Sequence, residues 1–151
     1  MRAILYFLVF ILLSACVPAP TAEPTPTTVP PYRITPEDNR YAPQTGDLGM
    51  TIGGVTLTSI SLSERFDLDP PRVVIRFQGS MPSVCNELRI EVNLPDEQAR
   101  IFIDVYSLIN PDIECDNVFQ QFEASVLLGT YSSGRYTLWV NEGLVGDFVS
   151  Y

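Results

Sequence analysis

The chain has 151 residues, 46% of them hydrophobic, and a net charge of −9 from nine basic and eighteen acidic residues. That length suits one domain with short appendages, and the apolar content is enough to pack a core rather than leave the chain disordered. All nine basic residues are Arg, with no Lys and no His, so the clustered cations that neutralise phosphates are missing and nucleic acid is not an expected partner.

The amino terminus carries the most specific signal. Met1 and Arg2 precede an unbroken apolar run over residues 3–13. A membrane-spanning helix needs roughly twenty residues to cross about 30 Å of hydrocarbon, so this run has the length of a secretory core instead. It ends in Leu13-Ser14-Ala15-Cys16, which resembles the bacterial lipobox: a branched residue and two small ones before a Cys. The resemblance implies diacylglycerol on the Cys16 thiol, cleavage just before it, and further acylation of the new amino terminus with chains such as palmitate. Two or three acyl chains hold a protein firmly to a membrane where one does not. Residues 1–15 are thus expected to be removed, with the mature chain facing the extracytoplasmic side of a cell membrane.

Residues 17–31 contain six Pro and four Thr and no aromatic residue. Such a stretch holds an extended polyproline-like form, and at about 3.1 Å per residue it reaches roughly 45 Å. Residues 16–31 therefore serve as lipidated Cys and spacer, lifting the domain clear of the headgroups. With Cys16 committed to lipid, Cys85 and Cys115 remain as an even pair in an oxidising compartment. A disulfide is expected, since their spacing is wrong for zinc and there is no His to help.

Residues 32–47, with scattered charges, Pro and Gly, read as an irregular lead-in. Residues 48–151 alternate with period two, the signature of strands with one buried face. A Thr- and Ile-rich run over residues 49–62 shifts phase between Leu57 and Ile60, as a β-bulge would. Val73, Ile75 and Phe77 form one inward set; Leu88, Ile90, Val92 and Leu94 another; Ile101, Ile103 and Val105 a third. Phe122, Ala124, Val126 and Leu128, then Tyr136, Leu138 and Val140, continue the pattern, and Asn141-Glu142-Gly143 reads as a tight turn before a closing strand. About seven strands, with Pro confined to the intervals, predict an all-β, two-sheet antiparallel sandwich with one disulfide.

Gly134-Arg135-Tyr136-Thr137-Leu138-Trp139-Val140 resembles the corner leading into the penultimate strand of immunoglobulin-like and fibronectin-like sandwiches. The resemblance implies that Tyr136 bonds back to upstream backbone. It departs from antibody-type domains, because Cys85 and Cys115 cannot bridge the second and sixth strands and Trp139 is not the buried Trp of the third. Sandwiches of this architecture serve many unrelated functions.

Without His or Lys, the Ser-His-Asp, Cys-His, Ser-Lys and Schiff-base arrangements are all excluded within this chain. Gly53-Gly54 reads as a turn or bulge, not a phosphate loop. Two acidic clusters, Glu64/Asp67/Asp69 and Asp112/Glu114/Asp116, lack the Asp and Gly spacing of an EF-hand loop and read as solvated loops, with calcium as the alternative. No metal or cofactor is expected. The candidate ligand face is aromatic: Phe102, Tyr106 and Trp139 fall on outward phases where a soluble sheet normally places polar residues. The expectation is a non-enzymatic interaction or accessory module of the cell envelope, with an envelope protein or a glycan as partner. The alternatives are a purely structural envelope spacer and a carboxylate-dependent hydrolase.

Overall fold

Eight β-strands and one short 3-10 turn make up the regular structure of residues 39–151, the part of the chain described by the computed structural model. The segments expected to be a signal sequence, a lipobox with Cys16 and a Pro/Thr-rich spacer, together with residues 32–38 of the expected lead-in, lie outside the described residues. Among the described residues, no helix is long and apolar enough to cross a membrane.

The strands are β1 (Thr51–Gly53), β2 (Thr56–Arg65), β3 (Arg72–Met81), β4 (Glu87–Val92), β5 (Arg100–Ile109), β6 (Gln120–Leu127), β7 (Gly134–Val140) and β8 (Gly143–Ser150). They form a sandwich of two sheets: β2–β3–β6, and a five-stranded sheet centred on β5. In the larger sheet β4 takes one edge of β5. β7 and β1 share the other edge, because β4's register on β5 overlaps both of theirs. β8 then pairs with β7. Every pairing is antiparallel except β5 with β7, which run parallel over residues 100–103 of β5.

The core lies between the sheets and is built from the inward phases read from the sequence. Val73, Ile75 and Phe77 of β3 and Ala124 and Val126 of β6 meet Ile90, Ile101, Ile103, Val105, Leu138 and Val140 from the opposite sheet in one buried cluster. Leu94 departs from its expected inward set and is 50% exposed. β4 ends at Val92, and the chain turns out through Pro95 into a loop closed by Asp96 N–H donating to the Arg100 carbonyl at 3.0 Å.

The run over residues 49–62 is one strand by pattern and two in the structure. β1 belongs to the five-stranded sheet and β2 to the other, and the chain changes sheets at Gly54 and Val55. The bulge within β2 falls where the phase shift predicts it, between Leu57 and Ser59. Opposite it stands Gly79, where a Cβ would collide with the Thr56 carbonyl oxygen and the Phe122 ring. The hairpin from β7 to β8 turns on Asn141 and Glu142, both at positive φ (45° and 68°), the backbone of a two-residue turn whose twist matches the strands it joins.

Cys85, in the β3–β4 connection, is bonded to Cys115, in the β5–β6 connection. Both connections cross from one sheet to the other at the same end, so the disulfide ties two arches together. Beneath them a chain of buried hydrogen bonds is fully partnered. Ser83 Oγ donates to Asn86 Oδ1 (2.6 Å), Asn86 Nδ2 to Ser107 Oγ (2.9 Å), and Ser107 Oγ to the Gly54 carbonyl (3.2 Å).

Candidate functional site

The outward side chains of β5 are Arg100, Phe102, Asp104, Tyr106 and Leu108, because Ile101, Ile103, Val105 and Ser107 are the buried inward set. Phe102 stands in register with Trp139 on β7, and Trp139 with Leu144 on β8. Three apolar side chains therefore form a row across three neighbouring strands, about 10 Å from first to last at the usual strand spacing. The Phe102 and Trp139 ring centroids are 6.1 Å apart with planes inclined by 34°, and Leu144 is 61% exposed. Trp139 Nε1 donates to Thr137 Oγ1 at 3.2 Å on the same face, so the indole is oriented from its own strand.

Arg100 frames one side of the row. Its guanidinium lies 5.3 Å from the Phe102 ring centroid while its Nε donates to Asp96 Oδ2 at 2.6 Å. The Arg100 backbone N–H, then its guanidinium, hold the Asp96 carboxyl below the usual range. On the other side stand Asp104, which accepts from Asn93 Nδ2 at 2.9 Å, and Glu91, its directly opposed partner on β4.

The far end of the same face is covered. The Ile90 N–H donates to the Tyr41 carbonyl (2.8 Å), and Asn39 Nδ2 donates to the Ile90 carbonyl (2.7 Å), fixing the lead-in along the outer edge of β4. From there the chain must cross to β1, on the opposite side of β5, and it does so through the 3-10 turn Thr45–Asp47. Asp47 takes two hydrogen bonds from Arg89, at 2.9 and 2.7 Å, and Glu87 takes a third at 2.8 Å. Arg89 lies on an outward phase, yet its side chain is only 8% exposed. The crossing also explains Leu108, which is buried but stands outside the central core cluster. The hydrogen bond from Arg89 holds the Asp47 carboxyl below its usual range, and burial pushes the neighbouring Tyr106 hydroxyl up.

Of the three aromatic residues singled out from the sequence, the structure brings Phe102 and Trp139 together. Tyr106 lies four residues from Phe102, about 13 Å along the strand, beside Arg89 rather than in the row. Tyr136 occupies a different place: its hydroxyl donates to the Ser132 carbonyl at 3.0 Å, and its ring stacks on Phe148 at 5.6 Å. Tyr131 packs against both, and burial pushes its phenol up to about 12.

The chain matches no family model, no curated protein and no solved structure. The geometry of the site alone therefore bears on its chemistry. In the first acidic cluster Asp67 is engaged by the Arg65 guanidinium through two bonds of 2.7 and 2.6 Å, which hold its carboxyl down to about 2. Among the described residues, no group of three or more His, Cys, Asp or Glu side chains converges as a metal site. Leu144 and the Glu91–Asp104 opposition were not singled out from the sequence. Asp104 shares the face of Phe102 by period alone, whereas only strand order sets Glu91 opposite it and Leu144 beside Trp139.

Proposed function

We propose that this chain is a lipid-anchored extracytoplasmic protein whose sandwich is a non-enzymatic interaction module of the cell envelope, working through the outer face of the five-stranded sheet. The observation that carries this reading is the row Phe102, Trp139 and Leu144, side by side on the outward face of three adjacent strands, the two rings half-buried and Leu144 exposed. A sheet face turned to water favours polar side chains, and a contiguous apolar row rimmed by polar groups is the usual character of a docking surface. Supporting the anchor are the lipobox at Cys16 and a spacer long enough to hold the domain away from headgroups. Supporting a role without catalysis is the lack of His and Lys, which removes the common general bases and amine nucleophiles. The immunoglobulin-like resemblance gains support from the Tyr136 bond to upstream backbone.

The test is capture of envelope components by the full-length chain after crosslinking in intact cells and solubilisation. Trp139→Ala should lower recovery of a specific crosslinked product at least tenfold, in keeping with the loss of a central aromatic anchor. It should lower the melting temperature by only a few degrees. An unchanged crosslinking pattern would leave the sandwich as an envelope spacer.

A further inference from the structure

The outer face carries an arrangement that folding does not ask for. Glu91 and Asp104 are directly opposed across the antiparallel β4–β5 pair, both exposed, and neither makes an ion pair among the described residues. Directly opposed like charges destabilise a sheet, so this pair works against the fold that holds it. The arginines nearby do not relieve it. Arg89 is engaged with Asp47 and Glu87, and Arg100 with Asp96. Asp104 is two residues from Phe102 on the same strand face, which sets the carboxylates about 7 Å from the ring row.

We infer that the juxtaposition of the Glu91–Asp104 carboxylates with the Phe102–Trp139 rings is a receptor for an arginine side chain presented by a basic segment of a partner protein. This rests on the reading of the same face as the working surface and adds the chemistry of its occupant. A guanidinium is planar and weakly hydrated; it stacks on an aromatic face while its N–H fork reaches a carboxylate. The span from ring to carboxylate fits that double engagement, whereas a compact ammonium satisfies one end at a time. Arg100 already shows the geometry in miniature, with its guanidinium over Phe102 and its Nε on Asp96. The overall charge of −9 draws a cationic segment toward the domain, and the rings decide where it settles.

The experiment uses the detergent-solubilised full-length chain and three synthetic peptides, alternating Gly with Arg, Lys or Gln, with binding measured by fluorescence anisotropy. The Arg peptide should bind at least tenfold more tightly than the Gln peptide and several-fold more tightly than the Lys peptide, and should weaken as salt rises. Glu91→Gln with Asp104→Asn, and separately Trp139→Ala, should each weaken it at least tenfold. The double variant should melt no lower than the parent, since it removes a like-charge opposition. Glu64→Gln with Glu123→Gln, an equal charge change on the other sheet, should leave binding unchanged. If the distal pair weakens binding as much as the facing pair, the attraction is net charge alone and the inference fails. If Trp139→Ala abolishes crosslinking in cells while the Glu91/Asp104 variant retains it, the face docks a partner that is not cationic. The inference then fails and the broader reading stands. Trp139-dependent, salt-insensitive binding of a neutral chito-oligosaccharide would likewise overturn the inference in favour of a glycan.

Discussion

Asn141 stands where β7 leaves its parallel partnership with β5, and its side chain takes over the pairing. Its backbone N–H donates to the Ile103 carbonyl at 3.1 Å. Its carboxamide then accepts from the Val105 N–H at 2.8 Å and donates to the Val105 carbonyl at 2.9 Å. Two residues further, β1 resumes with Gly53 opposite Ser107, so this edge of β5 keeps its backbone groups partnered through three different devices. Asn141→Gly should therefore lose roughly 1–3 kcal/mol, the net value of two hydrogen bonds. Asn141→Ala should lose about 1 kcal/mol more, because a Cβ is disfavoured at positive φ. Urea unfolding of the two variants measures the difference, and equal losses would show that the turn carries no backbone strain. The sequence marks Asn141 as a turn residue because turn chemistry is local. That its amide serves as a surrogate strand was not legible, since it depends on which strand lies beside β7. The same limit applies to Arg89, outward by period and buried only because Asp47 is carried over it. Asp47→Ala should lower stability by about 1–3 kcal/mol, leaving a buried guanidinium with the exposed Glu87 as its remaining carboxylate partner. Asp47→Glu, which keeps the charge, should recover part of the loss.

At the scale of elements, the period-two pattern located the strands because each sheet buries one face and exposes the other. It could not divide the run over residues 49–62. β1 and β2 have the same Thr- and Ile-rich character, and only Gly53-Gly54 signals the change of sheet. Nor could it place β5 beside β7, a parallel neighbour separated in sequence by β6 in the opposite sheet. That adjacency is what unites Phe102 with Trp139, so the aromatic residues were legible singly and the site was not. The disulfide was legible by counting, and its place explains its worth. Cys85 and Cys115 are 30 residues apart and join the β3–β4 arch, which the Ser83–Asn86–Ser107 hydrogen bonds hold to β5, to the β5–β6 arch. Closing a loop of that length stabilises by roughly 3–4 kcal/mol through the unfolded chain. Reduction of the full-length protein should thus lower its melting temperature by about 10 °C or more, at about 4 °C or more per kcal/mol. Calorimetry with and without reductant measures it. Two titratable thiols in protein recovered from the envelope without reductant would contradict the bond.

For the whole molecule, an excess of acid over base sets the behaviour in solution, and the proposed lipid at one end would set its place in the cell. Asp47 and Asp96 are held below their usual range in the folded state, and Asp67 is held to about 2. Groups with depressed folded values contribute stability that is present above their unfolded values and lost as pH falls through the folded ones. Stability should hold from neutral pH down to about 5 and decline between about pH 4 and 2. Asp47→Asn should flatten that decline more than Asp67→Asn, because Asp67 is exposed and screened by water and salt. Tyr131 acts at the opposite extreme: with its phenol at about 12, stability falls as pH rises from about 10 to 12. The last expectation concerns the anchor. The apolar run over residues 3–13 is too short to span a bilayer, and the stretch after it is rich in Pro and Thr, so in the proposed reading firm attachment of the mature chain would fall to acyl chains on Cys16. Cys16→Ser removes the thiol that both lipidation and the subsequent cleavage require. Cells expressing it should accumulate a larger, uncleaved precursor that takes up no radiolabelled palmitate, while the parent chain is labelled and shortened. A Cys16→Ser protein that matured to the parent's size and stayed with washed membranes would refute the lipid anchor. The docking face would then belong to a protein held in the envelope by other means.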